Sequence, residues 1–386
     1  HLNLQLKFFM QPIQMVDTKT QYLKIKEDVD RGIQQVLDSA SYIGGKIVTD
    51  FANNLATYNG SKHCITCANG TDALQIAMMA LGLQPGDEVI TPSFTYIATC
   101  EVVALLKLKV VFAEVDPQTY CIDPKSVEKL ITPKTKAIVP VHLYGHAAPM
   151  EEILSIAKKH DLFVIEDNAQ AIGSTYTFSD GSKAKTGSMG TIGCTSFYPS
   201  KNLGAYGDGG AIFTNDDALA LKLKMAANHG QQQKYKHELV GCNSRLDSIQ
   251  AAILDVKLKH LDDYSAARQA VAEKYNKAFG DHPKIKTPFV ASYSNHVYHQ
   301  YTLQVIGVNR DALQTYLASK NIPSMIYYPI PAHKQEMFTA LGESYSAMEI
   351  TDDLTSKVIS LPIHTEMQND QQEYIIQEVL SFINQN

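Results

Sequence analysis

The sequence predicts an α/β protein: a large domain on a mostly parallel sheet with crossover helices, then a smaller C-terminal α+β domain. Three observations predict it. Short apolar runs alternate with helix-like segments over the first two thirds of the 386 residues. Those runs are apolar on consecutive positions, as strands are when helices cover both faces of a sheet. The pattern then changes near Leu246, where a long stretch of mixed charge begins.

The expected strands are Glu88 to Thr91, Val110 to Val115, Ala137 to Val141 and Leu162 to Glu166, with helices at Thr71 to Leu81 and Glu151 to His160. A strand pattern ending at Pro199 and another from Ala211 to Thr214 flank a glycine-rich turn. From Asp247 to Phe279 the apolar spacing of three and four predicts a long helical region. A Pro/Gly/Ser/Asn-rich interval, 280–295, separates it from a strand at Tyr298 to Val305 and a helix at Arg310 to Lys320. The domains are therefore expected at 10–255 and 256–386. Residues 1–9, which precede Met10, read as a cloning or upstream remnant.

Apolar residues make up 45% and charged residues 19%, the balance of a globular chain with a large core. The net charge is −6 and no Lys/Arg block stands out, which excludes a nucleic-acid binder. A phosphorylated small molecule is not excluded, because it needs only a local helix start or backbone nest. No membrane span is expected, since the most apolar stretch, Val102 to Phe112, is broken by Lys107 and Lys109. Nor does any segment read as a secretory signal, and the expected location is the cytoplasm. Of six scattered cysteines, only Cys64 and Cys67 are close together. Period-two alternation puts them on opposite strand faces, and no second Cys/His pair completes a metal set, so core packing and no metal site are expected.

Five short segments carry candidate chemistry. Lys201 follows Tyr198-Pro199-Ser200 and precedes a turn with four glycines. A loop lysine is ordinarily a solvated charge. Between two buried-type strands, among glycines that allow close backbone approach, it can instead form a Schiff base with an aldehyde cofactor. Asp167 ends an apolar strand, where open α/β sheets place ligands. It is either a turn or cap residue, or an acid that keeps a pyridinium nitrogen protonated. Gln170 lies three residues on. Asn69-Gly70-Thr71 turns a strand into a helix whose first N–H groups suit either a plain cap or a phosphate. Thr91 to Tyr96 supplies aromatics that are either core or a stacking surface for a planar ring, Tyr96 being the preferred stacker. In Asn243-Ser244-Arg245-Leu246-Asp247, a helix cap explains Ser244 or Asp247, while Arg245 could clamp a carboxylate or phosphate.

The order of these segments resembles the DegT/DnrJ/EryC1/StrS family of sugar aminotransferases, over nearly the whole chain from about Met10. The carriers are Ala68-Asn69-Gly70-Thr71-Asp72-Ala73-Leu74, Thr91-Pro92-Ser93-Phe94-Thr95-Tyr96, Glu166-Asp167-Asn168-Ala169-Gln170, Ser200-Lys201-Asn202-Leu203-Gly204 with Gly207-Asp208-Gly209-Gly210, and Asn243-Ser244-Arg245-Leu246-Asp247. The resemblance implies the aspartate-aminotransferase (type I) fold and pyridoxal 5′-phosphate as cofactor, passing through pyridoxamine phosphate. It implies Lys201 as the Schiff-base lysine, Asp167 as partner of the pyridine nitrogen and Gln170 as partner of the ring oxygen. Gly70, Thr71 and Ser196 would be phosphate ligands, Tyr96 the ring-stacking residue, and Asn243 a contact to the cofactor phosphate of the neighbouring subunit in a homodimer with shared sites.

Within the family, the chain is similar to enzymes that aminate the 3-keto carbon of UDP-2-acetamido-2-deoxy-3-oxo-glucuronate in bacterial surface polysaccharide synthesis. Glutamate would be the donor and 2-oxoglutarate its product. Arg245, Tyr327, Tyr328 and His229 are then the substrate-binding candidates. Tyr327 stands where that subgroup has histidine. The alternatives are an aminotransferase for a keto-6-deoxyhexose on dTDP or UDP, and a non-catalytic regulator that binds the same cofactor. The family's sugar dehydratases carry histidine where this chain has Lys201.

Overall fold

The structure, a computed structural model, describes residues 11–341, 345 and 347–386; the remnant expected at 1–9 lies outside them. Its centre is a seven-stranded sheet made of β1 (His63–Cys67), β2 (Glu88–Pro92), β3 (Lys109–Ala113), β4 (Thr135–Ile138), β5 (Phe163–Asp167), β6 (Ile192–Ser196) and β7 (Gly210–Thr214). The spatial order is β1-β7-β6-β5-β4-β2-β3. Only β7 runs against its neighbours.

Helices α2 (Gly45–Asn59), α3 (Gly70–Ala80), α4 (Ala98–Leu105), α5 (Met150–His160), α6 (Asp217–Ala227) and α7 (Ser248–Leu258) cover the sheet, and α1 (Lys26–Ser39) packs on α7. On one face Ile76, Val102 and Leu223 pack on Ile192 and Ile212. On the other, Met150 and Ile153 cover Ile90 and Val164, while Phe51 and Leu254 cover Phe213. Burial from both sides explains the unbroken apolar runs: every position of β2 and β7 is buried. Cys64 and Cys67 do face opposite ways, Cys67 into the first core and Cys64 against the second.

The long helical region is two helices. α7 ends at Leu258, α8 (Leu261–Phe279) starts after a break at His260, and no proline or glycine marks the place. Tertiary packing imposes the bend. α7 lies on α1 and α2, whereas α8 delivers Ala272, Tyr275 and Phe279 to a separate core. That core belongs to β8 (Ile285–Lys286), β9 (Tyr301–Val305) and β10 (Val358–Leu361), an antiparallel sheet backed by α9 (Arg310–Ser319) and α10 (Asn369–Gln385). β9 begins at Tyr301 rather than Tyr298, because Tyr298 has a left-handed φ of 47° and cannot join a strand. Likewise β6 stops at Ser196, three residues before Pro199. Among the described residues, no helix is long and apolar enough to cross a membrane, and no group of three or more His, Cys, Asp or Glu could hold a metal ion.

The sheet brings distant segments to one edge. Cys67 and Ser196 both pair with Gly210, and Asp167 pairs with Cys194. The turns after β1, β5 and β6 therefore open side by side, at the carboxyl ends where α/β sheets bind ligands.

Candidate active site

The turn from β1 into α3 is built to leave N–H groups free. Asn69, extended at φ −166°, caps the helix by accepting from the Asp72 N–H at 2.8 Å. Gly70 opens the helix pressed against Ser196: a Cβ on Gly70 would lie 2.6 Å from the Ser196 Cβ. Only glycine allows that approach. It sets the Ser196 hydroxyl beside the first turn of α3 and its positive dipole end, with Thr71 next in line. The result is an anion cradle.

Asp167 ends β5 and is only 6% exposed. Its Oδ2 accepts from Thr99 Oγ1 at 2.7 Å and its Oδ1 from the Ala169 N–H at 3.1 Å. Thr99, on α4, is a contact that sequence reasoning missed. So is the pair beneath it. Glu166, on the opposite face of the strand, is fully buried and accepts from the N–H groups of Gly187, Met189 and Gly190 at 2.6–2.7 Å. It also meets His142 Nε2 at 2.8 Å. His142 Nδ1 accepts from the Ala148 N–H at 3.0 Å, so the ring proton sits on Nε2, toward Glu166. This network locks the strand end that aims Asp167.

Lys201 follows in the turn after β6, its N–H donating to the Tyr198 carbonyl at 2.8 Å. The residue keeps some exposure, but its amine is desolvated. Burial pulls the ammonium down to about 8, against the opposing pull of the Asp167 carboxylate. The turn is clamped from three sides. Gln250 on α7 accepts from the Tyr206 N–H at 2.8 Å and donates to its carbonyl at 3.2 Å. Lys257, two turns further along the same helix face, donates to the Gly204 carbonyl at 2.5 Å. Asn202 donates to the Val297 carbonyl at 2.9 Å, tying the turn to the segment that leads into β9.

Gln170 accepts from the Tyr144 N–H at 2.6 Å and donates to the Tyr328 hydroxyl at 2.9 Å, which among the described residues leaves one amide hydrogen uncommitted. Burial, with Asp167 nearby, pushes the Tyr328 hydroxyl up and keeps it a neutral donor. The Tyr328 ring lies 6.1 Å from that of Tyr96 and 5.9 Å from that of Tyr327. The Tyr327–Tyr328 peptide is cis, and the Tyr144 hydroxyl donates to the Tyr327 carbonyl. Tyr96, 56% exposed, stands at the mouth of this aromatic wall.

Three of the sequence-derived candidates lie apart from this group. Asn243 and Arg245 are exposed, alternating with buried Ser244 and Leu246; Ser244 Oγ accepts from the Ala68 N–H at 2.9 Å. His229 is also exposed, in a left-handed turn, with its N–H on the Cys242 carbonyl at 2.9 Å. Among the described residues, none of the three side chains bonds to Lys201, Asp167 or Gln170.

A model of the DegT/DnrJ/EryC1/StrS aminotransferase family matches residues 23–380. The chain belongs to this family. It is 48% identical over 353 residues to the UDP-2-acetamido-2-deoxy-3-oxo-D-glucuronate aminotransferase of Pseudomonas aeruginosa, covering 91% of this chain and 95% of that one. Its fold matches S. venezuelae DesV with a TM-score of 0.92 and 37% identity, over 97% of this chain and 99% of the other. It also matches NtdA from Bacillus subtilis, solved with bound cofactor PMP, with a TM-score of 0.86 and 31% identity, over 94% and 82% of the two chains.

As a DegT/DnrJ/EryC1/StrS member the chain is an aminotransferase, and its cofactor is pyridoxal phosphate, alternating with the pyridoxamine form. The donor set fits that group. An aldehyde needs an amine that is neutral part of the time, and Lys201 is brought down to about 8. A phosphate needs free N–H groups and a hydroxyl, which the start of α3 and Ser196 offer. A ring nitrogen needs a buried, oriented carboxylate, which Asp167 is.

Proposed function

We propose that this enzyme moves an amino group from glutamate to the 3-keto carbon of a UDP-linked 2-acetamido-2-deoxy-3-oxo-glucuronate, in the cytoplasm, for surface polysaccharide synthesis. The observation that carries the reading is the convergence of the Lys201 amine, the Thr99-held Asp167 and the Gly70–Ser196 cradle on one sheet edge. The 48% identity to an enzyme of that name supports the acceptor.

In this reading Gly70, Thr71 and Ser196 hold the cofactor phosphate. Asp167 partners the ring nitrogen, the free amide hydrogen of Gln170 reaches the ring oxygen, and Tyr96 covers the ring face. When bound, the cofactor supplies an electron sink for the charge left on the substrate carbon. Lys201 Nζ, neutral in about a tenth of molecules at pH 7 given a value near 8, removes the α-proton of the donor. Tyr327, Tyr328 and His229 meet the sugar, and Arg245 meets its carboxylate. Asn243, exposed on its own chain, would reach the cofactor phosphate of the neighbouring subunit in a homodimer.

Tyr327 favours a second reading, an uncharged keto-6-deoxyhexose on dTDP or UDP, since it stands where the uronate subgroup has a histidine able to carry positive charge and offers a carboxylate a neutral hydroxyl instead. A panel of nucleotide keto sugars, offered to enzyme pre-converted by glutamate to its pyridoxamine form, separates the two. The expected result is that the uronate restores the lysine-bound cofactor band fastest. Restoration only by neutral sugars selects the second reading, and no response from any nucleotide sugar rejects both.

A further inference from the structure

His333 is a buried histidine that the chemistry above does not use. It lies in a single 3₁₀ turn, Ala332–Lys334, five residues after Tyr328. The turn is tied to Ser93, the residue that follows β2 and stands three before Tyr96. Three bonds make the tie. The Ala332 N–H donates to the Ser93 carbonyl at 2.9 Å, the His333 N–H donates to Ser93 Oγ at 3.2 Å, and Oγ meets His333 Nδ1 at 2.7 Å. Because Oγ already accepts a backbone N–H, its own O–H is left to donate to Nδ1. Beyond the ring, Nε2 faces Asp352 Oδ1 at 3.6 Å, too far for a hydrogen bond, and Lys334 holds that carboxylate at 2.7 Å. The row Ser93–His333–Asp352 has the residue types of a nucleophile, a base and an acid. Ser93 is wholly buried, however, so no substrate reaches its hydroxyl, and the group works as a clip.

The two sides of the clip are not held alike. Ser93 continues the edge of the central sheet, its N–H on the Ala113 carbonyl at 3.2 Å. The other side, 326–331, has no helix or strand. Upstream it is anchored at Met325, which exchanges two backbone bonds with Ser360 of β10 at 2.7 and 3.1 Å. Downstream its anchor is the clip. Between these anchors stand Tyr327 and Tyr328, and the Tyr328 ring lies 6.1 Å from Tyr96 and 6.4 Å from Phe94, both on the Ser93 side. The clip therefore sets the spacing of the tyrosine wall. Asp167, the Lys201 turn and the Gly70–Ser196 cradle hang on other elements, and none of them bonds to Ser93 or His333 among the described residues.

We propose that His333 is a positioning residue for the keto-sugar acceptor: clipped to Ser93, it fixes the segment that carries Tyr327 and Tyr328 against Tyr96. The inference rests on the reading that these tyrosines meet the sugar. It separates the two halves of the reaction, because the groups that handle glutamate and the cofactor are held elsewhere.

The test follows the two half-reactions of the holoenzyme separately, with hydrogen exchange over residues 326–333 as a readout that needs no sugar. His333→Phe keeps a ring without a nitrogen, Ser93→Ala removes the hydroxyl, and His333→Asn returns an amide oxygen near the Nδ1 position. His333→Phe and Ser93→Ala are each expected to speed exchange and to raise KM for the keto sugar about tenfold, while glutamate converts the cofactor within about twofold of the wild-type rate. His333→Asn should recover most of the loss. The double variant Ser93→Ala/His333→Phe should lose no more than either single one, because both remove the same bond. The inference is overturned if exchange or sugar KM keeps its wild-type value in either single variant, if His333→Asn does no better than His333→Phe, if the two losses add, or if the glutamate step slows in parallel. Should no nucleotide keto sugar restore the lysine-bound cofactor in wild-type protein, the acceptor reading itself falls, and the positioning role falls with it.

Discussion

Thr99 donates its hydroxyl to Asp167 at 2.7 Å, joining the first turn of α4 to the end of β5 in a fully buried contact. It orients a carboxylate whose one other hydrogen bond among the described residues comes from the Ala169 N–H. Thr99→Val keeps the shape and removes the donor. Kcat is expected to fall about tenfold, in line with the 1–3 kcal/mol that an unmet buried acceptor costs, while pyridoxamine phosphate affinity holds. Steady-state kinetics with glutamate check it, and an unchanged kcat would show that Asp167 needs no such guide.

Lys201 should titrate far below an ordinary lysine. Capture of pyridoxal phosphate by the apoprotein is expected to rise with pH through a midpoint near 8, because burial disfavours the ammonium. Asp167 opposes that shift, so Asp167→Asn moves the midpoint to lower pH even as it cuts turnover about a hundredfold or more. Stopped-flow absorbance across pH 6 to 10 reads both. A midpoint near 10.5 in either protein contradicts the burial argument.

Gly70→Ala tests the cradle. The added methyl meets Ser196 at 2.6 Å and must push β6 from α3. Affinity for both cofactor forms is expected to drop at least about tenfold, a loss of roughly 1.4 kcal/mol. Ser196→Gly in the same chain should recover part of it by removing the clash. Isothermal titration with pyridoxamine phosphate decides, and undiminished affinity in Gly70→Ala would place the phosphate elsewhere.

Acid should unfold the protein through its histidines. Burial lowers His146 and His364 to about 4, and His296 and His299 well below the usual value of 6.5. Above 6.5 both folded and unfolded chains carry these rings neutral, and their contribution is complete. As pH falls from 6.5 toward 4, the unfolded chain takes up protons that the folded chain refuses. Each ring then costs about 1.4 kcal/mol of stability per pH unit. Urea midpoints at pH 7.5 and pH 5 should differ strongly, and His146→Gln should reduce that difference. Equal midpoints at the two pH values would contradict the prediction.

Much of the frame was legible in the chain. The strands around Ile90, Val110, Ile138 and Val164 follow from apolar runs, since burial on both faces removes any polar alternation. Lys201 and Asp167 could be singled out because each ends or follows a strand, and strand ends are where ligands sit. The break at His260 could not be read, because nothing local forces it; the chain bends there to leave one core for another. Thr99 and His142 were invisible for a related reason. Threonine and histidine in apolar surroundings look like ordinary core, and their partners lie 68 residues away for Thr99 and 24 for His142.

What the sequence determined alone is the α/β class, the order of its elements and which amine and acid to propose as reactive, because these depend on local pattern and on residue chemistry. What only the tertiary structure decided is how that chemistry is held. Gly70 against Ser196, Thr99 on Asp167, Asn202 on Val297 and Lys257 on the Lys201 turn are contacts between distant stretches, made when the sheet edge forms. The tyrosine wall of Tyr96, Tyr327 and Tyr328 arises in the same way, from two segments more than two hundred residues apart. Desolvation completes the division: it turns Lys201 from a surface-type cation into an amine that titrates near 8, and no stretch of sequence carries that property until the fold surrounds it.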